Sequence, residues 1–102
     1  GELDRSLDLL ERAAKKDPYS EDAWNNKAVV LTRAGRLREA LESVDRALNV
    51  NDENPATWIN AGIILERMKE FGPALECYKK LLQLDPGSEI AIQGMEYCRT
   101  HL

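Results

Sequence analysis

The sequence predicts an all-α protein, a right-handed α-solenoid in which about six helices form antiparallel pairs. The first observation is an internal repeat: the stretch from Trp58 to Pro86 aligns without a gap on the stretch from Trp24 to Asp52, 34 residues earlier. The second is that apolar residues within each copy recur every three or four positions, a spacing typical of helices. The third is a set of glycine and proline breaks that divides each copy into two helices.

The first predicted helix runs from Glu2 to Lys16, since its apolar residues have helical spacing and Asp17-Pro18 then breaks the chain. Pro18 lies one period before Asp52 and two periods before Pro86. We therefore interpret this helix as the second helix of a preceding repeat whose first helix is absent. Its apolar stripe should then be open to solvent, and it consists of Leu3, Leu7 and Leu10.

A complete repeat is predicted to follow. Ser20 should cap a helix from Glu21 to Ala34, because its hydroxyl can accept a hydrogen bond from a free amide of the first turn. Gly35 should end this helix, since glycine adopts the left-handed conformation without strain. Leu37 to Val50 then forms the antiparallel partner helix.

The next repeat is predicted to begin at Asn54, a capping residue, with Pro55 in the first helical turn, where proline loses no hydrogen bond. The sequence places a turn from Lys69 to Pro73 between its two helices. Asp85-Pro86-Gly87 then ends the second of them.

Ser88 should cap a last helix from Glu89 to Thr100. Glu96 and Arg99 occupy the places where the earlier first helices have small and apolar residues, so this helix is expected to face solvent and to close the array. The repeat array is thus expected to be finished at this end and open at the other. The predicted divisions of this single domain are 1–20, 21–54, 55–88 and 89–102.

These residues resemble the tetratricopeptide repeat (TPR), whose signature is W-x2-L-G-x2-Y, then A-x3-F, then P. The second copy has, in order, Trp58, Ala61, Gly62, Leu65, Ala74, Tyr78 and Pro86. The first copy has Trp24, Lys27, Ala28, Leu31, Ala40, Val44 and Asp52 at the same places. The small residues of the pattern allow two helices to approach closely. The resemblance implies the TPR fold, whereas TPR modules bind many unrelated partners.

In TPR proteins the first helices of the repeats line a concave groove that takes up peptides. A helical wheel places one set of residues opposite the predicted core, and the resemblance implies that this set is the peptide-binding groove. The set consists of Asn25, Asn26, Val29, Arg33, Ile59, Asn60, Ile63, Arg67, Gln93 and Tyr97. The alternative is that the asparagines link neighbouring repeats and the apolar residues are ordinary scattered surface residues.

The resemblance also allows one specific activity to be tested. Chaperone-binding TPR domains hold a terminal carboxylate with a clamp of lysine, arginine and asparagine side chains. The matching positions here are Asn25, Val29, Asn60, Ile90 and Gly94, of which only Asn60 fits. Without its cations the clamp has no charge to bind a carboxylate, so the sequence argues against an adaptor of that type.

Charge and composition narrow the partners further. The net charge of -4 argues against a nucleic-acid or anionic-membrane surface, since either requires clustered lysine and arginine. No apolar run approaches the length of a membrane-spanning helix. The expected partner is therefore a protein or peptide, with no nucleic acid and no membrane.

Few residues suggest chemistry. Cys98 and His101 lie three apart on the last helix, but two ligands are fewer than a metal site requires, so packing at the helix end is the better interpretation. Cys77 and Cys98 have no metal or disulfide spacing and are interpreted as reduced thiols in or near the core. Trp24 and Trp58 are interpreted as core residues because they occupy equivalent repeat positions. We predict no catalytic residue, no metal and no cofactor.

The sequence thus predicts a non-catalytic, cytoplasmic interaction module, an adaptor or scaffold that binds a peptide segment in its groove. One alternative is self-association through the N-terminal helix, which would give a homodimer. A third interpretation is that the chain is the regulatory part of a larger enzyme.

Overall fold

The computed structural model describes residues 1–102 and consists of six α-helices with no strand, which confirms the predicted fold class. The helices are α1 (Glu2–Lys16), α2 (Glu21–Arg33), α3 (Leu37–Val50), α4 (Pro55–Arg67), α5 (Phe71–Leu84) and α6 (Glu89–His101). They form two compact units, Gly1–Asp52 (unit 1, α1 to α3) and Glu53–Leu102 (unit 2, α4 to α6).

The predicted helix ends differ from the observed ones by at most a few residues. Helix α2 ends at Arg33 rather than Ala34, and α6 extends to His101 rather than Thr100. The turn predicted from Lys69 to Pro73 is shorter, because α5 already begins at Phe71. Pro73 fits there because the amides of a first helical turn have no partner within the helix.

Side chains cap the same three helices that the sequence predicted. Ala23 N donates to Ser20 Oγ at 3.2 Å in α2, and Ala91 N donates to Ser88 Oγ at 3.1 Å in α6. In α4, Ala56 N donates to Asn54 Oδ1 at 3.0 Å, and Pro55 follows the cap. We call α2, α4 and α6 the capped helices.

The core of unit 1 is built mainly from small residues of α2 and α3. Ala28 and Leu31 of α2 are buried with Ala40 and Val44 of α3. Helix α1 packs on α2 and buries Leu7. The prediction that Leu3, Leu7 and Leu10 are all open is therefore wrong for Leu7, since α2 covers that side of α1. Leu10 is half-buried and Leu3 is exposed.

The core of unit 2 is organised around the ring of Tyr78 in α5, which is 2% exposed. A Cβ atom on Gly62 of α4 would lie 2.6 Å from Tyr78 Cζ, and one on Gly94 of α6 would lie 2.7 Å from Tyr78 Cε2. Two capped helices thus contact the same aromatic ring through positions that carry no side chain. This contact fixes how closely α4 and α6 approach α5.

Neither tryptophan is fully buried, although Trp58 packs against the core cluster of unit 2, in line with the sequence-based interpretation. Both are only half-buried. Trp24 Nε1 donates to the carbonyl oxygen of Pro18 at 3.0 Å, while Lys27 and Arg46 each lie 5.7 Å from the centroid of its ring. Because Trp24 keeps its N–H and one face near polar groups and Trp58 is only half-buried, truncating either should cost less than truncating a fully buried aromatic residue.

The link within each helix pair has one residue in the left-handed region. Gly35 has φ 77° and Lys69, one period later, has φ 62°. The link closes each time with the same hydrogen bond, from Arg36 N to Leu31 O at 2.9 Å and from Glu70 N to Leu65 O at 2.8 Å. Lysine in this conformation is strained, whereas glycine is not.

Replacing Lys69 with glycine should therefore stabilise the protein by about 0.5–1 kcal/mol, since the relief of strain exceeds the entropy cost of glycine. Gly35→Ala should destabilise it by about 1 kcal/mol through backbone strain alone, because a Cβ atom there would meet no atom within 4 Å. Urea denaturation measures both changes. As a control, Lys79→Gly in the interior of α5 should have the opposite sign to Lys69→Gly. Equal signs for the two lysine variants would contradict the assignment of strain.

Candidate peptide-binding site

In unit 2 the predicted groove residues of α4 form a mixed apolar and amide surface. Ile59, Asn60 and Ile63 are all half-buried, and Arg67 at the end of the helix is exposed. Ile59 also packs against the core cluster of the unit. Of the two isoleucines, Ile63 is therefore the one whose side chain is more available for contact with a peptide.

Helix α6 contributes two further predicted residues, Gln93 and Tyr97, which are both exposed. The ring of Tyr97 belongs to an aromatic cluster: its centroid lies 6.0 Å from that of Phe71, which it meets edge-on, and 4.1 Å from that of His101. The Nδ1 atom of His101 donates to the carbonyl oxygen of Tyr97 at 2.7 Å. These contacts hold the tyrosine ring in place at one end of α6.

Helices α4 and α6 contact each other in unit 2. Gly62 and Gly94 both meet the ring of Tyr78. Their chain neighbours Ile63 and Gln93 therefore lie close to the place where α4 and α6 pack on that ring. The structure thus brings part of the predicted set together within unit 2. Tyr78, which does not belong to that set, determines the spacing.

In unit 1 the predicted residues of α2 separate into two groups. Asn26 and Arg33 are exposed and Val29 is half-buried, whereas Asn25 is only 8% exposed. Asn25 therefore offers little surface to a peptide, which the helical wheel did not indicate. Asn26 and Val29 belong to the wall of a cleft of about 410 Å³ between α1 and α2.

A polar contact inside unit 2 joins Glu66 of α4 to Cys98 of α6 and Tyr78 of α5. Cys98 Sγ donates to Glu66 Oε1 at 3.8 Å. Burial and the nearby Glu66 carboxylate both raise the pKa of Tyr78 above its usual range. The same two causes raise the pKa of the Cys98 thiol. Cys98 therefore stays protonated at neutral pH, so it is a packing residue and a hydrogen-bond donor rather than a reactive thiolate.

Sequence reasoning missed two features of these surfaces. Glu66 was not singled out, although it lies one position after Leu65 and one turn after Gly62, both of which the repeat pattern identified. Leu9 was also not named, yet it is 64% exposed on α1. Its counterpart two periods later, Cys77, is half-buried. The repeat alone shows that the two equivalent positions carry different residues, and this difference could have drawn attention to Leu9.

No set of three or more histidine, cysteine or acidic side chains is arranged to hold a metal ion. None of the helices has both the length and the apolar character needed to cross a bilayer.

Family comparison agrees with this architecture. The tetratricopeptide repeat family matches residues 19–86, which is more than half of the chain. The protein prenyltransferase alpha subunit repeat matches residues 3–34. The chain belongs to the tetratricopeptide repeat family, and its fold is an all-α TPR solenoid. No curated protein sequence matches it.

Solved structures of low sequence identity share the fold. The Arabidopsis OM64 TPR domain is 16% identical, with a TM-score of 0.92, and the match covers 99% of this chain and 84% of that one. The first TPR of Spaghetti (RPAP3), bound to the HSP90 peptide SRMEEVD, is 19% identical with a TM-score of 0.92 and coverages of 98% and 79%. MamA is 20% identical with a TM-score of 0.92 and coverages of 98% and 58%. At these identities the likeness shows the fold alone.

Proposed function

We propose that this protein is a non-catalytic interaction module that binds an extended peptide segment of a partner protein along the outer surfaces of its capped helices. The observation that carries the proposal is the recurrence of the same surface one period apart. An asparagine and a half-buried aliphatic residue follow each other on α2 (Asn26, Val29) and on α4 (Asn60, Ile63). Each unit thus offers the same amide-and-aliphatic pair on the surface of one of its capped helices.

The chemistry of these residues indicates the class of ligand. An amide group has two donors and one acceptor, so it can hold the backbone of an extended chain whatever its side chains are. Val29 and Ile63 favour apolar side chains, while Arg33 and Arg67 favour acidic groups. The expected ligand is a short segment that mixes apolar and acidic residues. Its affinity should be about micromolar, because few repeats bury little area and the peptide must be ordered on binding.

The chaperone-bound neighbour supports a protein or peptide as the class of partner. This chain has no matching clamp for a terminal carboxylate, because Ile90 and Gly94 stand where the clamp needs cations. A side chain at Gly94 would also meet the ring of Tyr78, so α6 has no room for one while that ring keeps its place. We therefore propose a ligand other than a chaperone tail.

The alternative functions receive less support. Self-association through α1 would use Leu3 and Leu10, since Leu7 is already buried within unit 1. A role as the regulatory part of a larger enzyme is compatible with a TPR fold, but no residue described here favours it. A cytoplasmic adaptor or scaffold remains part of the proposal.

The test is binding of peptides selected from a random display library on the wild-type chain. Replacing Asn60 with alanine should weaken the selected peptides by about 1–3 kcal/mol, because a buried backbone group of the peptide would lose its partner. Isothermal titration calorimetry measures the change. Asn49→Ala is the matched control, since Asn49 is an exposed asparagine on α3. Equal affinity for wild type and Asn60→Ala, with loss in Asn49→Ala, would contradict the proposed site.

A further inference from the structure

The C-terminal part of α6 belongs to a cluster of three aromatic rings in unit 2. The ring centroid of Tyr97 lies 4.1 Å from that of His101 and 6.0 Å from that of Phe71, and the centroids of Phe71 and His101 lie 5.1 Å apart. Each ring is thus within contact range of the other two. We call Phe71, Tyr97 and His101 the aromatic cluster. Only Tyr97 belongs to the residues that the helical wheel assigned to the groove.

The aromatic cluster is open to a ligand. Tyr97 is 47% exposed and His101 is exposed, whereas Phe71 is half-buried because it also packs on the core cluster of the unit. Ile90, two turns before Tyr97 on the same face of α6, is 50% exposed. Both Ile90 and Tyr97 are more exposed than Ile63 of α4. This face of α6 therefore offers a ligand an apolar surface of its own.

The internal repeat shows that the cluster is specific to α6. In each capped helix an apolar residue of the predicted groove is followed one turn later by a nitrogen-bearing side chain, and the pairs are Val29 and Arg33, Ile63 and Arg67, and Tyr97 and His101. Only the pair on α6 is aromatic. The residue one period before Phe71 is Leu37, which is not aromatic either. The same place on the peptide surface therefore has an aliphatic side chain on α2 and α4 and a group of rings on α6.

An exposed group of rings favours another aromatic ring over other side chains. Aromatic pairs attract each other in edge-to-face and offset arrangements beyond the effect of the area they bury, and an aliphatic side chain lacks this attraction. A lysine or arginine of the ligand can also stack on a ring face. It would come close to Arg67, because α4 and α6 pack together and Arg67 holds on α4 the place of His101 on α6. Since like charges repel, a neutral ring suits the site better than a cation.

We propose that the aromatic cluster is a specificity subsite of the peptide surface, which binds an aromatic side chain of the ligand where the ligand crosses α6. This inference rests on the proposed function, since it names the class of residue that one part of the same surface selects. Packed helices have axes about 8–10 Å apart, and an extended chain advances about 3.3 Å per residue. The aromatic residue of the ligand should therefore lie about three positions from the apolar residue that contacts Ile63.

The first experiment titrates two neutral probes, N-acetyl-tryptophanamide and N-acetyl-leucinamide, into the intact chain and follows the aromatic side chains by NMR. The tryptophan probe should shift the ring signals of Tyr97 and His101 saturably, and it should bind about twofold to tenfold more tightly than the leucine probe. Tyr19 is the internal control, since it is 81% exposed and lies in unit 1. Its ring should respond equally to both probes, without saturation.

Two variants connect the preference for the tryptophan probe to the aromatic cluster. Tyr97→Leu removes the ring but keeps an apolar side chain, and His101→Arg introduces the residue type found at the equivalent place on α4. Both should reduce the preference, because each removes one ring of the cluster. Tyr19→Leu is the matched control and should leave the preference unchanged. All three positions are exposed, so each variant should keep the circular dichroism of the wild type.

Equal binding of the two probes by the wild type, or equal responses of Tyr97 and Tyr19 to the tryptophan probe, would overturn the proposal. The peptides selected for the proposed function give a separate result, since they should contain an aromatic residue and lose about twofold to tenfold in affinity with Tyr97→Leu. Selected peptides that lack an aromatic residue and bind Tyr97→Leu like the wild type would contradict the subsite while the proposed function stands. Saturable binding of the tryptophan probe without any selected peptide would support the subsite and contradict the proposed function.

Discussion

Replacing Tyr78 with alanine should cost about 3–5 kcal/mol of folding free energy, the amount typical of a large buried aromatic residue. The ring is 2% exposed and fills the space between Gly62 and Gly94, neither of which has a side chain to move into the gap. Because a domain of this size has only about 5–15 kcal/mol in total, unit 2 should unfold well before unit 1 in the variant. Urea denaturation followed by circular dichroism measures the loss.

Two further variants separate the ring from its hydroxyl. Tyr78→Phe keeps the ring and removes only the interaction with Glu66, so it should cost about 1 kcal/mol. Trp58→Ala removes a larger side chain that is only half-buried, and it should cost less than Tyr78→Ala. If Trp58→Ala proved the more damaging of the two alanine variants, the assignment of Tyr78 as the centre of unit 2 would be wrong.

The elements of the fold were predictable because their signals are local. Capping by Ser20, Asn54 and Ser88 and the left-handed Gly35 depend on residues within one turn of each helix end. The left-handed Lys69 was missed, since lysine carries no such preference and only its position one period after Gly35 indicates it. The helix ends could therefore be predicted from nearby residues, whereas the left-handed Lys69 could be predicted only by comparing the two repeats.

The degree of burial was less predictable, because it depends on which neighbours fill the space around a repeat position. Trp24 and Trp58 have equivalent positions, yet the indole N–H of Trp24 binds the Pro18 carbonyl at the surface of unit 1. Leu7 was expected to be open, but α2 covers it. Asn25 lies near the edge of the helical face assigned to the groove, where small rotations decide between solvent and core. A wheel at about 100° per residue cannot resolve such edges.

Replacing Ile63 with glutamate should abolish binding of the selected peptides, a loss of at least about tenfold to a hundredfold in affinity. The isoleucine is half-buried on α4 next to Gly62, in the middle of the proposed surface. A carboxylate there would lose apolar contact and would also repel the acidic residues that Arg33 and Arg67 are expected to favour. The loss should be visible by calorimetry with the same peptides used for Asn60→Ala.

The interpretation requires that Ile63→Glu remains folded. Ile64→Glu is the contrasting variant, because Ile64 is 1% exposed and a buried charge there should unfold unit 2. A variant Ile63→Glu that keeps its helical circular dichroism and still binds the selected peptides at wild-type affinity would exclude α4 from the binding surface.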